Sequence, residues 1–298
     1  MINRTQDEIL SQWGRAEKVV MSVCCIAYNQ EDYISQTIDG FLMQETSFPF
    51  EIIIGEDCSS DNTLAILREY QDKYPDIIYI ISSKNNVGVT NNVQRVLSQA
   101  KGKYISFCEG DDYWTDDKKL TKHFEFLERN RDISLHVFDC LEWKNGQVIA
   151  GSSKLNRLGI RKGRYSKEDL RDDFCLMLQS SCFINFNVVF PSYFYKSSNT
   201  DTLLNIMLSQ YGGAFVDAEE KVAVYRHLDS GIWSKKGNDH KFYESMHNIL
   251  VHSRYFNELN DVISAEKKIT SMIVISIRKI GLLKFIKCLV MSVVKKLV

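Results

Sequence analysis

Apolar residues in the first 140 positions gather into short unbroken runs, separated by longer stretches with helical spacing. "VVMSVCCIAY" (19–28), "FEIIIGED" (50–57), "DIIYIIS" (76–82) and "KYISFC" (103–108) each predict a strand. Such runs suit strands covered by helices on both faces, as in a parallel sheet. Between them, "QEDYISQTIDGFLMQ" sets Tyr33, Ile34, Ile38, Phe41 and Leu42 on one helical stripe. "SSDNTLAILREYQDKY", "VTNNVQRVLSQA" and "DDKKLTKHFEFLERN" predict three further helices, and "DISLHVFDC" another strand. Ser59, Ser60 or Asp61 suits the cap of the first of these, because a short side-chain oxygen accepts from the opening turn's N–H groups. Alternating strands and helices predict an α/β fold, a Rossmann-like and mostly parallel sheet flanked by helices.

The second half is less regular. "CLEWKNGQVI" predicts a hairpin turning at Asn145-Gly146, a pair that accepts left-handed backbone. "SKEDLRDDF" predicts a short helix, "SSCFINFNVVF" (180–190) a strand, and "TDTLLNIMLSQYG" a helix ending at Gly212 or Gly213. "GAFVDAEEKVAVYRH" predicts two short strands. On a wheel from Ile280 to Leu297, Leu282, Phe285, Ile286, Leu289 and Val293 share one arc, with Lys284, Lys287 and Lys295 opposite. Basic residues interrupt this stretch too often for a membrane span. A helix lying among lipid headgroups fits it, and so does an apolar stripe docked on the rest of the protein.

Charge sharpens that picture. The chain of 298 residues has a net charge of −1, which offers nothing to a nucleic acid. Eight of its 37 Lys and Arg lie beyond Glu266, where there is no acidic residue; the rest carries 29 basic against 38 acidic groups, a net of −9. A basic tail on an acidic body points to an anionic surface, such as the inner face of the cell membrane. The eight cysteines form no Cys-x-x-Cys pair and the six histidines lack ligand spacing, which argues for reduced thiols and against zinc. The polar opening "MINRTQDEILSQWGR" has no apolar signal region, so the expected location is cytoplasmic.

The candidate chemistry lies where the strands end. In open α/β sheets, ligands bind beyond the carboxyl ends of parallel strands. There the chain places Tyr28, then Asp57, then the loop Asn85-Asn86-Val87-Gly88, then "CEGDDYW" (108–114). Crowding Glu109, Asp111 and Asp112 at one strand end costs free energy unless a cation compensates. A divalent ion holding a diphosphate would do so, with few protein carboxylates. Tyr28 could stack on a base and Asp57 could accept hydrogen bonds from a base or ribose. Plainer roles stand beside these: Tyr28 as a core aromatic, Asp57 as part of a loop before a helix cap, the acidic run as a solvated turn. No Gly-x-Gly-x-x-Gly follows the first strand and no P-loop occurs, which argues against a dinucleotide dehydrogenase and a P-loop enzyme.

The pieces "SVCCIAYNQEDYISQTIDGFLMQ", "EIIIGEDCSSDNT", "NNVGVTNN", "AKGKYISFCEGDDYW" and "DKKL", in this order and spacing, resemble family 2 glycosyltransferases of the bacterial surface-polysaccharide type, which have the GT-A fold. The resemblance runs from Met21 to about Asn130, weakens to about residue 235, and does not cover the last 60 or so residues. It implies a nucleotide-sugar-binding half at 19–140 after an N-terminal extension at 1–18. An acceptor-binding half at 141–237 and a C-terminal helical region at 238–298 would follow. It implies a donor, most often UDP-linked, contacted by Tyr28, Asp57, Asn86, Asp111, His227 and Trp233. It implies Mn²⁺ or Mg²⁺ held chiefly by Asp112, with Asp111 and Glu109. Asp201, in the first turn of its helix behind Thr200 or Asn199 as cap, would be the base of an inverting displacement. The acceptor would be a glycan or a polyisoprenyl-linked sugar.

Two positions depart from the family's pattern. Glu109 stands where many relatives have Asp, and Leu228 where many have His. His227 would then take over a diphosphate or metal contact, or be a strand-end histidine with a backbone partner. Two other functions compete. A nucleotidyltransferase would need a basic Gly-rich loop where "AYNQEDY" is acidic. A non-catalytic sugar-nucleotide-binding protein would have no use for an intact cluster and Asp201.

Overall fold

The computed structural model describes residues 4–14, 18–172, 176, 179–196, 200–228, 237–282 and 285. Trp233, the candidate cap Asn199 and nearly all of the 280–297 wheel lie outside these residues. The chain divides into two compact units, Met1–Tyr195 with Asn199–Ser234, and Lys196–Ser198 with Lys235–Val298.

The first unit opens with α1 (Gln6–Leu10), β1 (Met21–Ala27), α2 (Ile34–Leu42), β2 (Phe50–Glu56), α3 (Thr63–Lys73), β3 (Ile78–Ser82), α4 (Val89–Leu97) and β4 (Tyr104–Glu109). It continues through β5 (Tyr113–Trp114), α5 (Lys119–Arg129), β6 (Ile133–Lys144), β7 (Gln147–Ile149), α6 (Lys154–Arg157), β8 (Gly163–Tyr165) and α7 (Lys167–Arg171). It ends with β9 (Ser181–Ile184), a 3-10 turn at Ser192–Lys196, α8 (Thr200–Leu208) and β10 (Gly213–Arg226). The second unit holds α9 (Asn238–Glu258) and α10 (Val262–Ile280), joined through Asn260 in left-handed backbone and by Ser253 Oγ donating to Ala265 O (3.1 Å).

One sheet of ten strands runs β3-β2-β1-β4-β9-β6-β10-β5, with β7 beside β6 and β8 beside β10. β3, β2, β1 and β4 are mutually parallel, and every residue of β1 and β2 is buried, as their apolar runs require. Beyond β4 the sheet is mixed: β6 and β10 are parallel neighbours, while β9 and β5 run antiparallel. The chain moves outward from β1 through β2 to β3, then returns to lay β4 on the other side of β1. That reversal opens a crevice at the carboxyl ends of β1 and β4.

The hairpin turns at Asn145 (φ 52°) and Gly146 (φ 88°), the left-handed pair that a tight turn needs. Two strands differ from their predicted extent. Of 180–190 only Ser181–Ile184 is strand: Asn187 turns left-handed, and Asn185 Nδ2 donates to Ala100 O and Gly102 O. The two short strands predicted over 213–227 are one, Gly213–Arg226, because the register shifts around Asp217 and Lys221 bend the strand without ending it.

Beneath the sheet, Lys119 is fully buried, with Nζ donating to Ser106 Oγ (2.7 Å) and lying 3.9 Å from the Trp114 ring centre. Burial pushes its pKa down to about 8. His123 of α5 and His136 of β6 meet beside it, Nδ1 to Nδ1 at 3.1 Å, 0% and 2% exposed. Burial, with the Lys119 charge, holds His136 down at about 3 and His123 well below its ordinary value. Unfolded histidine takes a proton below about pH 6.5, so in this window the unfolded chain binds more protons than the folded one. Stability contributed by the neutral pair is thus lost as the pH falls from about 6.5 towards 3, by about 2 kcal/mol at pH 5 for His136 alone. Urea melts at pH 7.5 and 5 should show this loss, and the double variant His123→Leu/His136→Leu a smaller one. Equal pH dependence in the two proteins would refute it.

Candidate active site

Register brings the site residues level. β1 pairs Ala27 with Glu56 of β2 and Ile26 with Glu109 of β4, so Tyr28, Asp57 and Gly110 all emerge at the crevice. Tyr28 is 44% exposed and is therefore not a core aromatic. The next residue, Asn29, turns left-handed, donates its N–H to Ser59 Oγ (3.0 Å) and accepts from Ser60 N at Oδ1 (2.8 Å), which locks the two loops together.

The adjacent acids Glu56 and Asp57 do different work. Buried Glu56 accepts from Ser59 N (2.6 Å) and Cys58 N (3.3 Å), holding the turn that Cys58 makes at φ 61°. Asp57, 3% exposed, reaches across to the loop after β3, accepting from Val87 N (2.7 Å), Gly88 N (2.9 Å) and Ser83 Oγ (3.3 Å). The opening turn of α3 is served instead by Asp61, which accepts from Thr63 N (2.9 Å). Asn86 is exposed at the tip of the same loop, its Oδ1 accepting from Gly88 N (3.1 Å).

Ligand oxygens of Glu109, Asp111 and Asp112 lie within 4.8 Å of one another. Gly110 permits this crowding, since a Cβ there would meet Ile34 Cδ1 at 2.9 Å and Ile26 O at 3.1 Å. The Thr37 hydroxyl sits 2.8 Å from Gly110 O and 2.6 Å from Asp112 O, tying the turn to α2. Asp112, 1% exposed, accepts from Arg226 N at Oδ1 (2.7 Å), while its Oδ2 is buried with no partner among the described residues. Burial, then the neighbouring charges, pushes Glu109 and Asp112 well above the usual carboxylate range; burial also raises Asp111. Converging oxygen ligands, an orphaned buried carboxylate oxygen and mutual repulsion are what a hard divalent cation relieves. These residues fit Mn²⁺ or Mg²⁺.

Asp201 stands in the first turn of α8, half-buried. Thr200 Oγ1 lies 3.2 Å from Thr90 Oγ1 of α4, which fixes the start of α8 against that helix. The Asp201 charge is among those that raise Glu109, after burial and Asp111. His227 is arranged differently: its N–H donates to Trp143 O (2.9 Å), and its Nε2 lies 2.8 Å from Glu142 Oε1, which Arg157 Nε also reaches (2.6 Å). Its ring is therefore engaged by Glu142.

Two cations at the site had no signal in the sequence. Arg226, 6% exposed, reaches Asp111 O and Gln36 Oε1 with its guanidinium and lies 4.3 Å from the Tyr113 ring centre. Lys154 lies with Nζ 3.5 Å from the Tyr225 ring centre, and its charge lowers all three acids of the cluster. Neither could be found by motif, because β10 and α6 lie far along the chain from the acidic turn.

Known proteins share this architecture. S. aureus TarS in complex with UDP-GlcNAc superposes with a TM-score of 0.58 over 79% of this chain and 66% of its own, at 18% identity. Uncharacterised proteins of Mycobacterium tuberculosis and Mycobacterium bovis are 36% identical over 236 residues, 76% of this chain and 64% of theirs. The chain thus spans under two thirds of the length of these relatives. The Escherichia coli UDP-Glc:alpha-D-GlcNAc-diphosphoundecaprenol beta-1,3-glucosyltransferase is 35% identical over 114 residues, 38% of this chain and 43% of its own. The profile of glycosyl transferase family 2 matches residues 22–185, more than half of the chain, and the protein belongs to that family.

Proposed function

We propose that the protein moves a sugar, with inversion, from a UDP-linked donor to a hydroxyl of a glycan or polyisoprenyl-linked acceptor in cell-surface polysaccharide synthesis. The observation that carries this reading is the convergence of the Glu109, Asp111 and Asp112 ligand oxygens within 4.8 Å at the crevice between β1 and β4, with Asp112 Oδ2 buried and without a partner among the described residues. The UDP-GlcNAc of the structural neighbour and the diphosphoundecaprenol-linked acceptor named for the bacterial relative support the donor and acceptor classes.

Exposed Tyr28 stacks on the base, Asp57 and Asn86 line the base and ribose, and Asp111 reaches the ribose. Asp112, Asp111 and Glu109 hold Mn²⁺ or Mg²⁺, which when bound stabilises charge on the departing diphosphate. Asp201 takes the proton of the acceptor hydroxyl as that oxygen bonds to the sugar C1, and the C1–O bond to the diphosphate breaks on the opposite face. His227 borders the diphosphate end, and the family's pattern assigns Trp233, outside the described residues, to the donor. Residues 141–237 form the acceptor-binding half. No helix among the described residues is long and apolar enough to cross a membrane. In this reading the basic tail holds the enzyme on the cytoplasmic membrane face.

A thermal-shift screen of UDP-, GDP- and dTDP-sugars, with and without Mn²⁺, tests the reading. A UDP-sugar at about 100 times its dissociation constant should stabilise the fold by about 2.7 kcal/mol, with Mn²⁺ only. No stabilisation by any of the donors would sink it.

A further inference from the structure

Lys154 is placed by its backbone. Ser153 caps α6 by accepting from Asn156 N (3.0 Å), Leu155 N donates to Asp139 Oδ1 of β6 (3.1 Å), and the Leu155 side chain is buried. The half-buried Lys154 ammonium then lies over Tyr225, the residue before the Arg226 whose N–H holds Asp112. Among the described residues it makes no ion pair, and Tyr225 sets it one residue from the backbone N–H that lies 2.7 Å from Asp112 Oδ1.

The other cations nearby are committed. Arg226 is pinned to Asp111 O and Gln36 among aromatic rings. Arg157 is paired with Glu142, and Lys119 is fully buried under the sheet. Among the described residues, Lys154 alone combines a flexible stem, a partly open position and a head held by a ring face. A cation–π contact at such a site is weak enough to give up, and a lysine ammonium serves phosphate as a mobile point charge.

We propose that Lys154 is a donor-binding residue: its ammonium balances the Glu109–Asp111–Asp112 cluster when the site holds no donor, and moves onto a diphosphate oxygen of the nucleotide sugar when one binds. This rests on the donor-site reading above and adds to it a residue that competes with one ligand and attracts the other. A cation beside three carboxylates repels a divalent ion, yet the same cation attracts a diphosphate. Removing it must therefore shift the two affinities in opposite directions, which a packing role would not do.

Titration calorimetry of the full chain with Mn²⁺ alone, then with UDP in saturating Mn²⁺, reads both. In Lys154→Gln the dissociation constant for UDP should rise about tenfold or more, the loss of a charge-assisted contact. Mn²⁺ alone should bind about two- to tenfold tighter, as one repelling charge is removed. Lys154→Met, which keeps an apolar stem over Tyr225, should give the same pair of shifts if the Gln variant melts early. Lys154→Arg keeps the charge and should hold UDP within about threefold of wild type. An unchanged UDP constant, or Mn²⁺ binding no tighter, would overturn the inference while wild-type UDP binding leaves the donor site standing. Wild-type protein that binds none of UDP, GDP and dTDP would instead overturn the donor site, and the role of Lys154 with it.

Discussion

Asp112→Asn is expected to remove metal-dependent transfer, by roughly 10³-fold or more, and to leave the melting temperature no lower than that of the wild type. The two halves of this result have one cause. Asp112 is buried with two other acids within 4.8 Å, and its pKa stands well above the usual range because burial and Asp111 oppose its charge. An asparagine keeps the shape, and its oxygen still accepts from Arg226 N, which is 2.7 Å away in the native protein. The substitution removes one like charge from a cluster that only a cation compensates, so the protein without metal gains or breaks even. The same change strips a charged ligand from the metal site. Functional sites commonly hold such strain, and relieving it exchanges activity for stability. Nucleoside diphosphate release with and without Mn²⁺, beside a melting curve, measures both. Turnover that survives the substitution and full chelation would remove the metal from the mechanism.

Asp201→Asn should lower kcat by roughly 10²–10⁴-fold with donor affinity almost unchanged, because the shape stays and the base is lost. An acid in the first turn of α8 is also favoured by the helix dipole, worth about 0.3–1 kcal/mol. A residue serving only that purpose would cost a little stability and leave turnover normal. The structure adds a reason to expect the kinetic result. Thr200 Oγ1 lies 3.2 Å from Thr90 Oγ1 across 110 positions of chain, which fixes the helix start that carries Asp201. Measuring kcat and the melting curve of this variant separates the two roles, and normal turnover would dismiss the base.

The strands of the first half were legible because each is buried on both faces and must be apolar throughout, as β1 and β2 are. The acidic turn was legible because Glu109, Asp111 and Asp112 come from one short loop. The second half was less so: β10 bends at register shifts and carries charged residues in its middle, which breaks the alternation that marks a strand. The alternation of 180–190 overextended its strand, because Asn185 and Asn187 turn the chain away from the sheet after Ile184.

By itself the sequence determined the parallel half of the sheet, the family, and the acids that face the crevice. These follow from local periodicity and from motifs whose members are close neighbours in the chain. Only the tertiary structure decided which part of the fold each of those acids holds. Glu56 and Asp57 are adjacent, yet one holds its own turn and the other holds the loop after β3. The tertiary structure also decided that Arg226 steadies Asp112 from 114 positions away and that Lys154 lies over Tyr225, the residue before Arg226. A carboxylate's cost or use depends on what replaces the water around it, and those neighbours come from strands and helices that meet only when the sheet closes.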